Sequence, residues 1–240
     1  MSGQSFLPGS PAALKGVRVI EMGQLIAGPF AGKTLGEFGA EVIKIEPPGA
    51  GDPLRNWRLM KDGTSVWWQV QSRNKRSLAL DLRSSEGQDI ARQLIAEADV
   101  LIENFRPGTL ESWGMSYEQL AELNPRLIML RISGYGQTGP YRDLPGFGSI
   151  GEAMGGLRHL TGEPGHVPVR CGISIGDTLA ALHGVIGVLT ALYHRDANGG
   201  KGRGPAENRR PQREGGHRID PAPRGERVGL SGHPASRSAI

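Results

Sequence analysis

Apolar and polar positions alternate with a period that changes along the first two hundred residues, and the changes outline the elements. Val17–Glu21 reads as a first buried strand, followed by a Gly-punctuated loop and a helix over Pro29–Phe38. Pro29 suits the first turn of that helix, and Gly39 stands where a C-terminal glycine is wanted. Glu41–Glu46 (EVIKIE) is a second strand, closed by Pro47-Pro48-Gly49, and Leu78–Leu82 a third. Ser84 and Ser85 with Glu86 can cap a helix reaching Glu97, whose apolar residues Ile90, Leu94 and Ile95 share one face. Val100–Glu103 is a fourth strand, Tyr117–Leu123 a short helix and Leu127–Ile132 a fifth strand. After Gly139 the chain loosens into Gly-rich loops as far as Gly176, and an apolar helix over Thr178–His194 follows. Strands alternating with helices at these lengths predict an α/β fold: a Rossmann-like parallel sheet with flanking helices.

The segment Asp99–Gly108 (DVLIENFRPG) carries the clearest chemistry. Its buried strand stops abruptly in an amide, an aromatic, a cation and a Pro-Gly turn. In open α/β sheets ligands sit beyond the carboxyl ends of the strands, so this is a candidate ligand edge. Phe105 offers a stacking face, Arg106 a fork for phosphate, and Asn104 a group that both donates and accepts. An ordinary strand-to-helix loop reads the same way.

Composition narrows the class. The chain has 240 residues with 38% hydrophobic content, enough for a sizeable core. No run approaches the ~20 apolar residues of a membrane span, and Met1–Gly16 lacks the basic and apolar regions of a secretory signal. Cys171 is the single cysteine, so no internal disulfide forms, and the expected compartment is the cytoplasm. The pI near 9.5 suggests a nucleic-acid binder. However, residues 201–240 hold nine Lys or Arg against four Asp or Glu, leaving 19 and 20 for the rest. The body is near neutral; the basic excess lies in a Gly/Pro/Arg-rich tail with too little apolar surface to fold.

Asp177 is the candidate catalytic residue. It follows CGISIG and precedes TLAALHGVIGVLTALY, which puts a carboxylate at the mouth of an apolar helix. A purely structural N-cap aspartate has the same signature. Gly172 and Gly176 leave room for a ligand to come close, and backbone amides nearby can stabilise an oxyanion. Cys171 has no base beside it in sequence and His183 lies within the apolar helix, so both read as packing. Trp57, Trp67 and Trp68 read as packing or as the wall of a ligand pocket.

Taken in order, VRVIEMGQLIAGPFAGKTLGEFGAEVIKIEPPGAGD, NKRSLALDL, ADVLIENFRPG, LNPRLIMLRISGYGQTGP and the GD before the apolar helix resemble the class III CoA-transferases, the CaiB/BaiF or formyl-CoA-transferase-like family. The resemblance runs from Leu14 to Gly202. It implies the α/β large domain of that family over residues 14–200, a flexible N-terminus over 1–13, and a homodimer of interlocked chains. The implied reaction moves CoA from an acyl-CoA to a carboxylic acid. Asp177 matches the family's nucleophile, passing through mixed-anhydride and aspartyl-CoA thioester intermediates. Coenzyme A enters as part of the substrate, with no permanently bound cofactor and no metal implied. Carried over in the same way, Gln24, Leu25, Ile26, Ala27, Asn74, Lys75, Arg76, Asn104, Phe105, Arg106 and Tyr135 are the expected CoA-site residues. Pro47-Pro48 departs from the family, which often places an arginine there.

Three rivals stand beside this reading, the third an NAD-dependent dehydrogenase. An α-methylacyl-CoA racemase shares the implied fold, but Phe147 stands about where its histidine would be, and phenylalanine moves no proton. A basic nucleic-acid-binding protein rests on the tail alone, and no membrane or specific nucleic-acid partner is expected. The first turn, GQLIAG, lacks the GxGxxG spacing of a dinucleotide site, although Glu46 ends a strand as a ribose-binding acid would. Relatives continue after GKG into a further strand, whereas here RGPAENRRPQREGG follows. The expectation is a frame change near Lys201 that truncates the domain and makes residues 201–240 an out-of-frame tail.

Overall fold

The computed structural model describes residues 12–199. The expectations for residues 1–11 and for the basic tail lie outside the described residues.

Five parallel strands form one sheet: β1 (Arg18–Glu21), β2 (Glu41–Glu46), β5 (Lys75–Ala79), β6 (Val100–Glu103) and β7 (Ile128–Arg131), in the order β5-β2-β1-β6-β7. A small antiparallel pair, β3 (Met60–Lys61) with β4 (Thr64–Ser65), stands apart from it. The α/β fold read from the sequence is therefore observed. The register obeys the two-residue period of a sheet covered on both faces. Val19, Val42, Val100, Ile102, Ile128 and Leu130 point to one layer, where α1 (Ala27–Glu37) and α7 (Ile175–Ala197) cover them. Ile20, Ile45, Leu101 and Met129 point to the other, beneath α3 (Ser85–Ala96), α4 (Thr109–Ser112) and α5 (Tyr117–Leu123). The remaining helices are α2 (Val66–Gln71) and α6 (Gly148–Met154).

Chain direction sets the position of the site. The sheet grows from β1 outward to β2 and β5, then returns to the other side of β1 with β6 and β7. The carboxyl ends of β1 and β6 are thus the point where the strand order reverses, and the crevice opens there.

Several boundaries differ from the sequence reading. The third strand is Lys75–Ala79 instead of Leu78–Leu82, because the parallel pairing of Val42 with Lys75 and Glu46 with Ala79 draws a charged segment into the sheet. The first helix begins at Ala27, before Pro29. Ser84 alone caps α3, through the Gly87 amide at 3.0 Å. The loop after Gly139 contains α6, and α7 starts at Ile175. At 23 residues and a mean hydropathy of 1.6 in its apolar window, α7 is long and apolar enough to cross a membrane, contrary to the reading that no run approaches that length. In this structure it lies against α1, β7 and α6.

Candidate active site

Two loops meet at the reversal point. After β1 the chain turns through Gly23, Gln24, Leu25 and Ile26 into α1; after β6 it turns through Asn104, Phe105 and Arg106 into α4. The Asn104 side chain accepts from the Gln24 amide at 2.7 Å and returns a hydrogen bond to the Gln24 carbonyl at 2.8 Å. This approach needs Gly23 and Gly28, since a Cβ on either would stand 2.8 Å from the other's Cα. No side chain caps α1, and Pro29 at its third position has no N–H. Ala27 lines the crevice, and its amide, at the first position of α1, has no intrahelical acceptor.

Asp177 closes the same crevice from the other side. It is the third residue of α7, whose N-cap is Ser174, so the alternative of a structural N-cap aspartate does not hold. Its half-buried carboxylate abuts Gly148, the first residue of α6, where a Cβ would overlap its Oδ2 atom. Gly176 likewise passes the Gly148 carbonyl so closely that a Cβ would come within 2.6 Å. Burial pushes the Asp177 carboxyl above its ordinary pKa; its own backbone amide and the Arg170 charge oppose this, and Glu152 adds to it. A carboxylate half out of water and at a helix N-terminus is both held and under-solvated, the state wanted in a nucleophile.

Gln24, Leu25, Ile26, Ala27, Asn104, Phe105, Arg106 and Asp177 together line one cavity of about 370 Å³, with Phe147 and Gly148 on its wall. Arg106 is exposed, which leaves its guanidinium open to an anion. Phe105 is half-buried, its ring edge-on to Trp113 at 5.4 Å. Behind it Glu103, fully buried, accepts from the Phe105 amide at 2.8 Å and pairs with Arg131 at 2.7 Å. Burial raises the Glu103 pKa against the pull of Arg131.

Four expected CoA-site residues fall elsewhere. Asn74 is the turn residue before β5 and Lys75 and Arg76 begin the strand, at the end of the sheet opposite the crevice; all three border a separate open depression with Lys15, Arg18 and Glu41. Lys75 is turned inward: its Nζ meets Glu21 at 2.7 Å and the Pro29 carbonyl at 2.7 Å. Burial lowers its pKa to about 8 despite Glu21. Arg76 pairs with Glu41 at 3.0 Å. These three are expected in the basic turn of the ligand edge; the structure places them at the start of a parallel strand and does not bring them into the cavity with Asp177. The β5 exit is Leu80–Arg83, and Arg83 is exposed with its guanidinium on Asp81 at 2.9 Å. Tyr135 is not among the residues lining the cavity; it packs on Tyr141 at 5.7 Å. His183, read as packing, is exposed and bonded to the Leu179 carbonyl at 2.8 Å. Trp68 is buried with Ile26 and Leu54, while Trp57 and Trp67 meet edge-on at 5.8 Å. Among the described residues no cluster of three metal-ligating side chains occurs.

Sequence reasoning missed Gly148, whose absent side chain makes room for the Asp177 carboxylate; the glycine spacing of GFGSIGEA was the available signal. It also missed Glu152, a buried carboxylate on α6 within the field of Asp177.

The geometry agrees with the comparisons to known proteins. The family model for CoA-transferase family III matches residues 14–204, and the chain belongs to that family. It is 57% identical over 190 residues to the succinyl-CoA–D-citramalate CoA-transferase of Chloroflexus aurantiacus, covering 79% of this chain and 47% of that one. It is 38% identical over 187 residues to the human succinyl-CoA:glutarate CoA-transferase, covering 78% and 43%. Among solved structures, a CaiB/BaiF family protein from Brucella suis superposes with a TM-score of 0.77 at 39% identity, covering 82% of this chain and 53% of that one. The chain spans about half the length of the curated relatives it matches.

Proposed function

We propose that this chain carries the CoA-binding and nucleophilic part of an enzyme that transfers CoA from an acyl-CoA thioester to a carboxylic acid. The observation that carries the reading is Asp177: a half-buried carboxylate at a helix N-terminus, facing the Gln24–Ala27 and Asn104–Arg106 loops across one cavity. The Asp177 oxygen attacks the thioester carbonyl and expels CoA thiolate, leaving a mixed anhydride on the side chain. Thiolate returns to the aspartyl carbonyl, releases the acyl group as a carboxylate and forms an aspartyl-CoA thioester. The acceptor acid then attacks that thioester, and the thiolate collects the acyl group from the new anhydride, restoring Asp177. Each step exchanges one activated acyl bond for another, so no net proton moves and a general base is not needed.

The other groups supply binding and charge. The Ala27 amide is a donor for developing oxyanions or phosphate, and Arg106 is the cation for a phosphate of CoA. The matched relatives are named for succinyl-CoA with D-citramalate, L-malate or glutarate, so the substrate class proposed here is a short dicarboxylyl-CoA with a dicarboxylic acid. The partner is a second copy of a full-length chain, and the compartment the cytoplasm. No observation favours racemisation: Phe147, beside Gly148 on the cavity wall, holds no proton to give.

The test is mass spectrometry of the protein incubated with succinyl-CoA. An adduct on Asp177 that hydroxylamine removes, absent from Asp177→Asn, is expected. Adduct formation elsewhere, or equal labelling of the variant, overturns the assignment.

A further inference from the structure

Beneath the crevice the chain buries four charges that the proposed reaction does not use. Lys44, Glu21, Asp52 and Lys75 each keep no more than 2% of their side chains exposed. Lys44 Nζ lies 3.0 Å from Glu21, 2.8 Å from Asp52 and 2.6 Å from the Gly23 carbonyl. Burial draws the Lys44 pKa down, but Glu21 and Asp52 outweigh it and hold it above its ordinary value. Removing such charges from water is costly unless their geometry does something apolar side chains cannot.

What Asp52 does is visible in its partners. Its Oδ1 atom accepts from the Leu25 amide at 3.1 Å and from the Leu54 amide at 2.9 Å. Leu25 has φ +62°, a left-handed conformation that a leucine does not hold without support. Asp52 is itself fixed from behind: its amide donates to Glu46 at 2.9 Å, and Glu46 clasps Arg55 through both oxygens at 2.7 and 2.9 Å. Three successive residues of the loop are therefore held by three different side chains. Lys44 takes the Gly23 carbonyl, Asn104 takes both backbone groups of Gln24, and Asp52 takes the Leu25 amide. Leu25 and Ile26 then face the cavity that Asp177 closes.

We propose that Asp52 is the positioning residue of the acyl-CoA site, holding Leu25 in its left-handed conformation so that the Gln24–Ala27 loop is shaped for CoA before the ligand arrives. The role is preorganisation: the ordering is complete in the free protein, so it is not charged against binding. Its importance for coenzyme A rests on the proposed function; its effect on the loop does not.

Two substitutions separate this role from general support of the fold. Asp52→Asn keeps an oxygen for the Leu25 and Leu54 amides but no longer pairs with Lys44. Asp52→Ala loses everything, and if it does not fold, Asp52→Ser replaces it, its side chain being one atom shorter than the carboxylate that bridges the Leu25 and Leu54 amides. Amide hydrogen exchange of the peptide spanning residues 22–28 is compared with that of β6, and free coenzyme A is titrated by calorimetry. Both variants are expected to lower the melting temperature. Only Asp52→Ala (or Ser) is expected to speed exchange of the loop at least tenfold beyond any change in β6, and to weaken coenzyme A at least fivefold relative to Asp52→Asn. Loop exchange that rises equally in all variants, or only in step with β6, overturns the proposal. If coenzyme A binds none of the proteins, the CoA reading fails, and the exchange result alone decides the role of Asp52.

Discussion

Asn104 and Gln24 stand eighty residues apart and bond each other twice, the side-chain amide of one saturating both backbone groups of the other. The bond crosses the seam between the first and second halves of the sheet, where β6 returns beside β1. The amide expected at the ligand edge also fixes the loop beside it, while still lining the cavity. Asn104→Asp keeps the acceptor but sets a carboxylate oxygen against the Gln24 carbonyl. The expected result is a loss of about 1–2 kcal/mol in stability. Coenzyme A is expected to bind about tenfold more weakly, equivalent to ~1.4 kcal/mol. Urea unfolding and calorimetric titration measure the two; an unchanged affinity shows that the clamp is not needed for binding.

Gly148 gives a separate handle on Asp177. A methyl group there overlaps the Asp177 carboxylate, and the three atoms it would meet first all belong to Asp177. Gly148→Ala is therefore expected to reduce the succinyl adduct on Asp177 at least tenfold while leaving the affinity for coenzyme A within about twofold. Equal loss of both would mean that α6 shapes the whole crevice.

Much of this arrangement was legible in the residues, and the failures share a cause. The strands β1, β2, β6 and β7 announced themselves as short apolar runs, because a sheet covered on both faces leaves little choice of side chain. The Asn104–Arg106 edge and Asp177 stood out because polar groups interrupt those runs abruptly. What stayed hidden depends on long-range pairing. Whether Lys75 lies at the crevice or at the far end depends on the register of β5 against β2, which local pattern does not encode. The buried charges were equally silent, although Lys44 within EVIKIE was a hint: a lysine inside an apolar strand needs carboxylates, and Glu21 and Asp52 provide them. The Gly148–Asp177 contact joins two loops and has no sequence period at all.

The acid limb of adduct formation should report the surroundings of Asp177. In the proposed reaction the attacking form is the carboxylate, and burial raises its pKa above the ordinary aspartate value. Adduct yield is therefore expected to fall with decreasing pH earlier than an exposed aspartate allows. Arg170, whose charge opposes that shift, gives the sign test. Arg170→Gln should move the midpoint to higher pH, and Glu152→Gln to lower pH. Quenched-flow labelling with succinyl-CoA across pH 3–7 measures the midpoints; a shift of the same sign in both variants contradicts the electrostatic account.

Glu46 predicts the acid stability of the chain. Burial alone would raise its pKa, but hydrogen bonds from Arg55, Ser77 and the Asp52 amide prevail and lower it from 4.5 to about 2. Between those values the unfolded chain holds a proton that the folded chain does not, so stability falls as pH drops from about 4.5 toward 2. Above pH 4.5 the ionised carboxylate contributes its full effect, on the order of 2 kcal/mol. Glu46→Gln removes that contribution and is expected to be the less stable protein at pH 7 by about this amount. At pH 3 the difference should be less than half as large, because most of the advantage has already been titrated away in the parent. Urea unfolding of both proteins at pH 7, 4.5 and 3 gives the three differences. A gap that stays constant across the series would mean that Glu46 acts through packing, and that the charge on Asp52's backbone support plays no part in acid unfolding.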